Sequence, residues 1–301
     1  MATKWVITGA NGNLGRRLVA ELAVENDNEV LAVVRSERAA ATIASHEAVT
    51  TKVLSYTDVP ALSAACADAD CVVHLVGIIK EGGGATYQDA HEASTTALCE
   101  ALQDRPDVHV SYLSIVGSEP HATNTCLASK GRAEKILQEA PNPACTIRVP
   151  MVLGEQDYVS GSLRQRVLKE KAVGFRMASL EQPIFAGDVT AAIRAGAAGR
   201  INAGIDLGGP EVLSRADLSR RAGAVFDRTV RVRSLPVALG KMLATLLQAV
   251  MSNPPITPAM LEILDHDDNV DNTNAFTTLG ISDQTSLDEM LRIALTGDGL
   301  P

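Results

Sequence analysis

Along the first half of the chain, short runs of consecutive apolar and β-branched residues alternate with stretches whose apolar positions recur every three or four residues. The runs predict strands at Lys4–Thr8, Glu29–Val34, Val49–Leu54, Cys71–Leu75, Val108–Ser114 and Cys145–Val149. The helical spacing predicts helices around Leu14–Glu25, Glu37–Ser45, Pro60–Ala67, Thr86–Gln103 and Thr125–Ala140. Strands such as Cys71-Val72-Val73-His74-Leu75-Val76 are apolar on both faces, as a parallel sheet covered by helices on both sides requires. The expected class is α/β, a doubly wound parallel sheet with a smaller C-terminal lobe.

Beyond Pro150 the pattern loosens. A helix is expected near Leu163–Lys171, a strand near Pro183–Phe185, a helix from Val189, a strand at Ile205–Leu207 and a helix over Asp217–Phe226. This divides the chain into a first domain, residues 1–150, and a lobe for substrate or partner, residues 151–301, with parts of about 183–210 returning to the first domain. Then come an apolar helix around Val237–Met251, a break at Asn253-Pro254-Pro255, and a last helix opened by Ser286-Leu287-Asp288-Glu289 with capping-box spacing.

Charge narrows the partners. Lys and Arg number 27 against 36 Asp and Glu, a formal charge of −9, and only 3% of residues are aromatic. That surface excludes broad phosphate-backbone binding and base stacking, so nucleic acid is not an expected partner. The five cysteines form no C-x-x-C pair, which suggests neither a disulfide framework nor a zinc site. The uncharged Met242–Asn253 stretch is too short to span a bilayer, and the N-terminus lacks the pattern of a signal peptide. A cytoplasmic protein that does not span the membrane is expected.

The sharpest chemical signal is Thr8-Gly9-Ala10-Asn11-Gly12-Asn13-Leu14-Gly15, where the first strand gives way to the first helix. Gly9 allows the tight turn, Gly12 lets backbone approach a pyrophosphate, and Gly15 lets helix pack on strand, with the helix N-terminus offering free N–H groups. Dinucleotide binding on a Rossmann fold follows. An NAD-specific site would end its second strand with Asp or Glu, but here Arg35, Ser36 and Arg38 stand around Glu37. A guanidinium fork suits a 2′-phosphate, so NADP(H) is expected in preference to NAD(H).

These residues resemble the extended and atypical short-chain dehydrogenase/reductase superfamily, and more narrowly its branch around the dinucleotide-binding accessory subunit of respiratory complex I. Further cues are Val73-His74-Leu75-Val76-Gly77, Tyr112-Leu113-Ser114, Ser129-Lys130-Gly131-Arg132-Ala133-Glu134, Ile147-Arg148-Val149-Pro150, Gly187-Asp188-Val189 and Leu207-Gly208-Gly209-Pro210. The resemblance implies cofactor contacts from Gly9 to Gly15, including Asn11, Asn13 and Leu14. It extends them to Leu75, Val76, Gly77, His91, Lys130 and Pro150. Where relatives place Asp against the adenine the chain reads Ser55-Tyr56, which become the expected contacts.

In that superfamily a Ser or Thr, a Tyr and a Lys four residues after the Tyr do the chemistry. Ser114 and Lys130 match, but Cys126 stands at the Tyr position. A thiol is shorter than a phenol and has a different pKa, so it is no simple substitute. Cys126 reads either as a small buried side chain or as a reactive thiol beside Lys130. Tyr87 and Tyr158 are candidates to enter a cleft instead. His74 reads as a satisfied strand-end histidine, His91 as either a cofactor support or a buried group, and Asp265-His266-Asp267-Asp268 as a solvated helix end. Two functions remain open. One is an NADP(H)-dependent oxidoreductase or isomerase on a small carbonyl, quinone or nucleotide-sugar-like substrate. The other is a non-catalytic dinucleotide-binding sensor or assembly subunit.

Overall fold

The computed structural model describes residues 2–251, 254, 256–263 and 267–297. Strand β1 (Thr3–Thr8) leads through the glycine turn into α1 (Asn13–Ala23), then β2 (Asn28–Val34), α2 (Glu37–Ala40), β3 (Val49–Val53), α3 (Val59–Ala65) and β4 (Cys71–His74). A π-helical stretch, Gln88–Ala93, runs directly into α4 (Ser94–Ala101), followed by β5 (His109–Ile115), α5 (Thr125–Glu139) and β6 (Ala144–Val149). Next come β7 (Val152–Leu153), α6 (Tyr158–Leu168), β8 (Lys171–Phe175), β9 (Leu180–Glu181), β10 (Ile184–Phe185), α7 (Ala186–Ala198) and β11 (Ala203–Asp206). The chain continues with β12 (Leu213–Ser214), α8 (Arg215–Ala224), β13 (Arg231–Leu235), α9 (Val237–Val250), α10 (Pro258–Ile263), α11 (Thr273–Leu279) and α12 (Leu287–Thr296).

Seven strands form one parallel sheet in the order β3-β2-β1-β4-β5-β6-β11, a doubly wound Rossmann arrangement whose direction of winding reverses between β1 and β4. Both faces are apolar, as the unbroken strand runs demand. On one face Leu18 and Leu22 of α1 pack with Ile193 of α7 over Ile7 and Val73. On the other, Leu62, Leu98 and Leu137 cover Val72 and Val110. Each such side chain contributes roughly 1.5–3 kcal/mol by leaving water. A third cluster, built on Leu163, Val167, Leu218, Leu287 and Leu291, forms the core outside the sheet.

Three elements depart from the sequence pattern. Helix α2 ends after four residues: Ser36 caps it by accepting from the Ala39 N–H, and the Thr42 hydroxyl then donates back to the Ala39 carbonyl, taking the place of continued helix. The helix expected over 86–103 opens with wider π turns, in which Ser94 and Thr95 donate to the carbonyls of Ala90 and His91. The helix expected to run to Lys171 stops at Leu168, because Glu170 adopts a φ of 53° and turns the chain into β8, which pairs in parallel with β13. Of the proline-rich break, Asn253 and Pro255 lie outside the described residues, as do Asp265 and His266. Asp267 accepts from the Ser179 hydroxyl and the Leu180 N–H.

Candidate functional site

All seven strands of the sheet are parallel, so the turns that follow β1 to β6 share one edge, and the winding reversal opens a crevice there. Gly9 has a φ of 73°, and a side chain on it would strike the Leu75 carbonyl carbon at 2.9 Å. A side chain on Gly15 would meet the carbonyl oxygens of Gly9 and Ala10 at 2.7 Å, so this glycine is what lets α1 close on β1. Gly12 differs: a Cβ there would touch only the Gly9 oxygen, at 3.3 Å. No side chain caps α1 and no acidic residue stands in its first turn. Uncapped N–H groups and the positive end of the helix dipole therefore face an open surface, and a pyrophosphate fits this cradle.

Asn11 and Gly12 are exposed and Leu14 is half-buried. Asn13 donates through its side chain to the Glu155 carbonyl at 2.6 Å, while Arg17 pairs with the Glu155 carboxylate at 2.7 Å. The loop after β7 is thereby tied down over the first turns of α1. Glu155 is buried and was not foreseen from the sequence, where a single acidic residue beyond a strand carries no spacing that marks it.

At the adenosine side, Arg35, Ser36 and Arg38 are exposed beyond β2. The Arg35 guanidinium lies 5.8 Å from the centre of the Tyr56 ring. Tyr56 itself is buried, and its hydroxyl accepts from the Gly9 N–H at 3.0 Å and donates to the Val33 carbonyl at 3.2 Å. It is a strut beneath the glycine turn and a platform under Arg35. Burial holds its pKa above the ordinary phenol value. Ser55 is exposed, with its hydroxyl shared with Thr57.

At the other side of the reversal, Leu75, Val76 and Gly77 extend β4 toward Lys130 of α5. The Lys130 ammonium is almost enclosed, donates to the Leu113 carbonyl at 2.8 Å and lies 4.4 Å from the centre of the Tyr112 ring. A Cβ on Gly77 would come within 3.1 Å of Lys130 Nζ and 3.4 Å of His91 Nε2, so all three residues meet at one point. Burial pulls the Lys130 pKa down to about 8. Ser114 Oγ and His91 Nδ1 are buried and have no hydrogen-bond partner among the described residues. His74 spends both ring nitrogens, on Thr8 at 2.7 Å and Ser94 at 3.3 Å. Burial, reinforced by the Lys130 charge, lowers His74 and His91 to about 3. Pro150 is half-buried just past β6.

Cys126 lies in the first turn of α5, on the face that carries Lys130, where Asn124 caps the helix. Its thiol is fully buried, donates to the Ile78 carbonyl at 3.7 Å, and is pushed up to about 11 by burial in spite of the Lys130 charge. Of the two other tyrosines considered for a cleft, Tyr158 is 83% exposed. Tyr87 is buried against the Cys126 thiol, stacks on His91 and donates to the Ile79 carbonyl at 2.8 Å.

A sequence profile for NAD(P)H-binding proteins matches residues 9–169, more than half of the chain, and takes in the cradle, Arg35, Ser114 and Lys130. The chain belongs to this NAD(P)H-binding family. No curated protein matches its sequence. Among solved structures, the Bordetella bronchiseptica enzyme WbmF in complex with NAD+ superposes with a TM-score of 0.73 at 20% identity, covering 97% of this chain and 91% of that one. UDP-glucuronic acid 4-epimerase from Bacillus cereus, in complex with UDP-glucuronic acid and NAD, gives 0.74 at 17% identity over 97% of this chain and 98% of that one. UDP-N-acetylglucosamine 4-epimerase from Methanobrevibacter ruminantium, in complex with UDP-N-acetylmuramic acid, gives 0.74 at 17% over 98% and 97%. At these identities the likeness is one of fold.

In this NAD(P)H-binding protein a cleft of about 590 Å³ opens beside the N-terminus of α5, lined among others by Tyr87, Thr125, Met251, Pro258, Glu81 and Glu262. Among the described residues that line it there are two carboxylates and no Lys or Arg. A second cleft, of about 430 Å³, shares Glu81, Tyr87 and Thr125 and adds Arg132, which is held by Glu92 at 2.8 Å. The larger cleft was not legible in the sequence, because Glu81 and Tyr87 on one wall and Gln248, Met251 and Glu262 on the other are more than a hundred residues apart.

Proposed function

We propose that the protein is an NADP(H)-dependent oxidoreductase acting on a small uncharged carbonyl or quinone compound. The observation that carries the reading is the meeting of Lys130, Gly77 and His91 at the ends of β4 and α5, next to the unpartnered Ser114 hydroxyl at the end of β5. The glycine cradle and the N-terminus of α1 would hold the pyrophosphate, Arg35, Ser36 and Arg38 the 2′-phosphate, and Leu75 to Gly77, His91 and Lys130 the nicotinamide end. NADP(H), when bound, supplies or accepts a hydride. Ser114 donates a hydrogen bond to the substrate oxygen, and Lys130 holds the proton that the oxygen takes up. A pKa of about 8 keeps Lys130 charged at neutral pH yet able to release its proton, as a general acid needs. The related folds of known activity include epimerases of UDP sugars. The carboxylates Glu81 and Glu262 in the larger cleft oppose a diphosphate, which is why an uncharged substrate is favoured here over a nucleotide sugar.

One observation favours a second reading, a non-catalytic dinucleotide-binding sensor or assembly subunit: the thiol at the usual phenol position is buried and held at about 11. A single experiment separates the two. NADPH and NADH affinities are measured for the parent and for Arg35→Ala. NADPH absorbance is then followed with aldehydes, ketones, quinones and UDP sugars, for the parent and for Lys130→Met. The first reading expects tighter NADPH than NADH, a loss of about tenfold or more on removing one charged phosphate contact, and turnover that falls about a hundredfold in Lys130→Met. Binding without turnover moves the conclusion to the second reading. Absence of binding defeats both.

A further inference from the structure

Helix α9 is built inside out for a soluble domain. Leu239, Met242, Leu243, Leu246 and Val250 are all exposed, from 45% for Leu243 to 80% for Val250. Their spacing of three and four residues draws them into one stripe. The fully buried positions of the helix are small: Ala244 is buried, and Gly240 faces the Phe175 ring so closely that a Cβ would lie 2.8 Å from it, with Val237 and Leu247 half-buried beside them. Most of the large side chains are thus left outside, and a contiguous apolar patch of this kind marks a surface that something covers.

The charges beside the stripe identify what fits. Strand β13 leads into α9 through Pro236 alone and pairs with β8, placing Arg231 opposite Lys171 and Leu235 opposite Phe175. Residues two apart share a strand face, so Lys171 lies on the face of Phe175 that α9 covers, and Arg231 and Arg233 on the face of Leu235. All three basic residues are exposed. From Arg228 to Met251 the chain contains Arg228, Arg231, Arg233 and Lys241 and no Asp or Glu, within a protein of formal charge −9. Beside the ribbon Glu170 is paired with Arg228 at 3.0 Å, and the carboxylates Glu81 and Glu262 stand at the C-terminal end of α9, in the cleft they share with Gln248 and Met251. An apolar stripe bordered by cations complements an interface whose headgroups are anionic and whose interior is hydrocarbon. No helix among the described residues is long and apolar enough to cross a membrane, so α9 can lie in such an interface but not span it.

We infer that α9 and the β8–β13 ribbon dock the protein on an anionic lipid bilayer. Leu239, Met242, Leu246 and Val250 enter the acyl boundary, and Lys171, Arg231 and Arg233 meet the phosphates. The test is co-sedimentation of the full chain with vesicles of phosphatidylcholine alone and of phosphatidylcholine with phosphatidylglycerol. The parent binds the anionic vesicles at least tenfold more tightly than the neutral ones, and added salt weakens the binding. Leu246→Glu removes binding and Arg231→Glu with Arg233→Glu lowers it at least tenfold, while thermal melting confirms that these exposed substitutions leave the fold intact. The inference is overturned if the parent stays in solution with anionic vesicles, or if Leu246→Glu binds as the parent does. It is equally overturned if sedimentation velocity shows a dimer that Leu246→Glu splits, since a second copy of the chain would then be what covers the stripe.

Discussion

The Tyr56 hydroxyl accepts the Gly9 N–H at 3.0 Å and donates to the Val33 carbonyl at 3.2 Å, so one phenol ties together the ends of β1, β2 and β3. Tyr56→Phe keeps the ring under Arg35 and takes the acceptor from the Gly9 N–H, while the Val33 carbonyl keeps the Ala10 N–H at 3.3 Å; the loss costs about 1–3 kcal/mol. The melting temperature falls by several degrees and NADPH stabilises the variant less than the parent. The preference for NADPH over NADH stays unchanged, because Arg35 keeps its platform. A parent-like melting temperature would show that the strut carries no weight.

The three cradle glycines separate by what a side chain would meet. Gly12→Val finds a single close neighbour, the Gly9 oxygen at 3.3 Å, and otherwise projects into the open crevice. It keeps a cooperative melt and loses stabilisation by NADPH. Gly15→Val drives a branched side chain into two carbonyl oxygens at 2.7 Å and destabilises the fold itself, with or without nucleotide. Equal melting temperatures for the two variants would contradict this division.

Why these glycines are readable in sequence while Tyr56 is not comes down to range. The turn, the phosphate approach and the helix packing are local demands, met within eight residues and marked by one residue type. The strut from Tyr56 to Gly9 spans 47 residues, and nothing at Tyr56 distinguishes it from an adenine contact until the fold closes. The sheet was legible because its strands are apolar on both faces. The β8–β13 ribbon was not, since Lys171, Arg231 and Arg233 interrupt the apolar pattern that marks a strand. The approach of Tyr87 to Cys126 depends on a π-helical stretch whose wider turns leave no periodic signature of their own.

Acid weakens the fold through its buried imidazoles, of which His74 and His91 are shifted furthest and His109 is lowered as well. His74 and His91 are held neutral, with pKa values lowered to about 3 from an ordinary 6.5. Below pH 6.5 the unfolded chain takes up protons that the folded one refuses, so stability is full above that pH and falls as pH drops toward 3. Between pH 7.5 and pH 5 the loss is about 2 kcal/mol for each ring. Urea unfolding at the two pH values measures it. His74→Gln, which cannot titrate, removes that ring's share of the dependence, about 2 kcal/mol, whatever its own stability. A His74→Gln variant that keeps the parent's full difference between the two pH values would show that the His74 ring is not held neutral.

Cys126 provides the last test, of what replaced the missing phenol. With the thiol fully buried and pushed up to about 11, fewer than about one molecule in a thousand carries a thiolate at pH 7.5. Iodoacetamide therefore leaves Cys126 unlabelled in the native protein, with or without NADPH, and mass spectrometry finds the label there only after unfolding. The unfolded protein, in which Cys126 takes the label, is itself the control that the reagent is active. The space beside the thiol is taken by Tyr87, whose hydroxyl is anchored on the Ile79 carbonyl. Cys126→Tyr consequently overpacks the site and costs about 1–3 kcal/mol. Adding Tyr87→Ala to Cys126→Tyr opens that space, and the pair of substitutions costs less than the sum of the two made singly. Additive costs would show that the two side chains do not compete for one place. Rapid native labelling of Cys126 would show that the thiol is reactive after all.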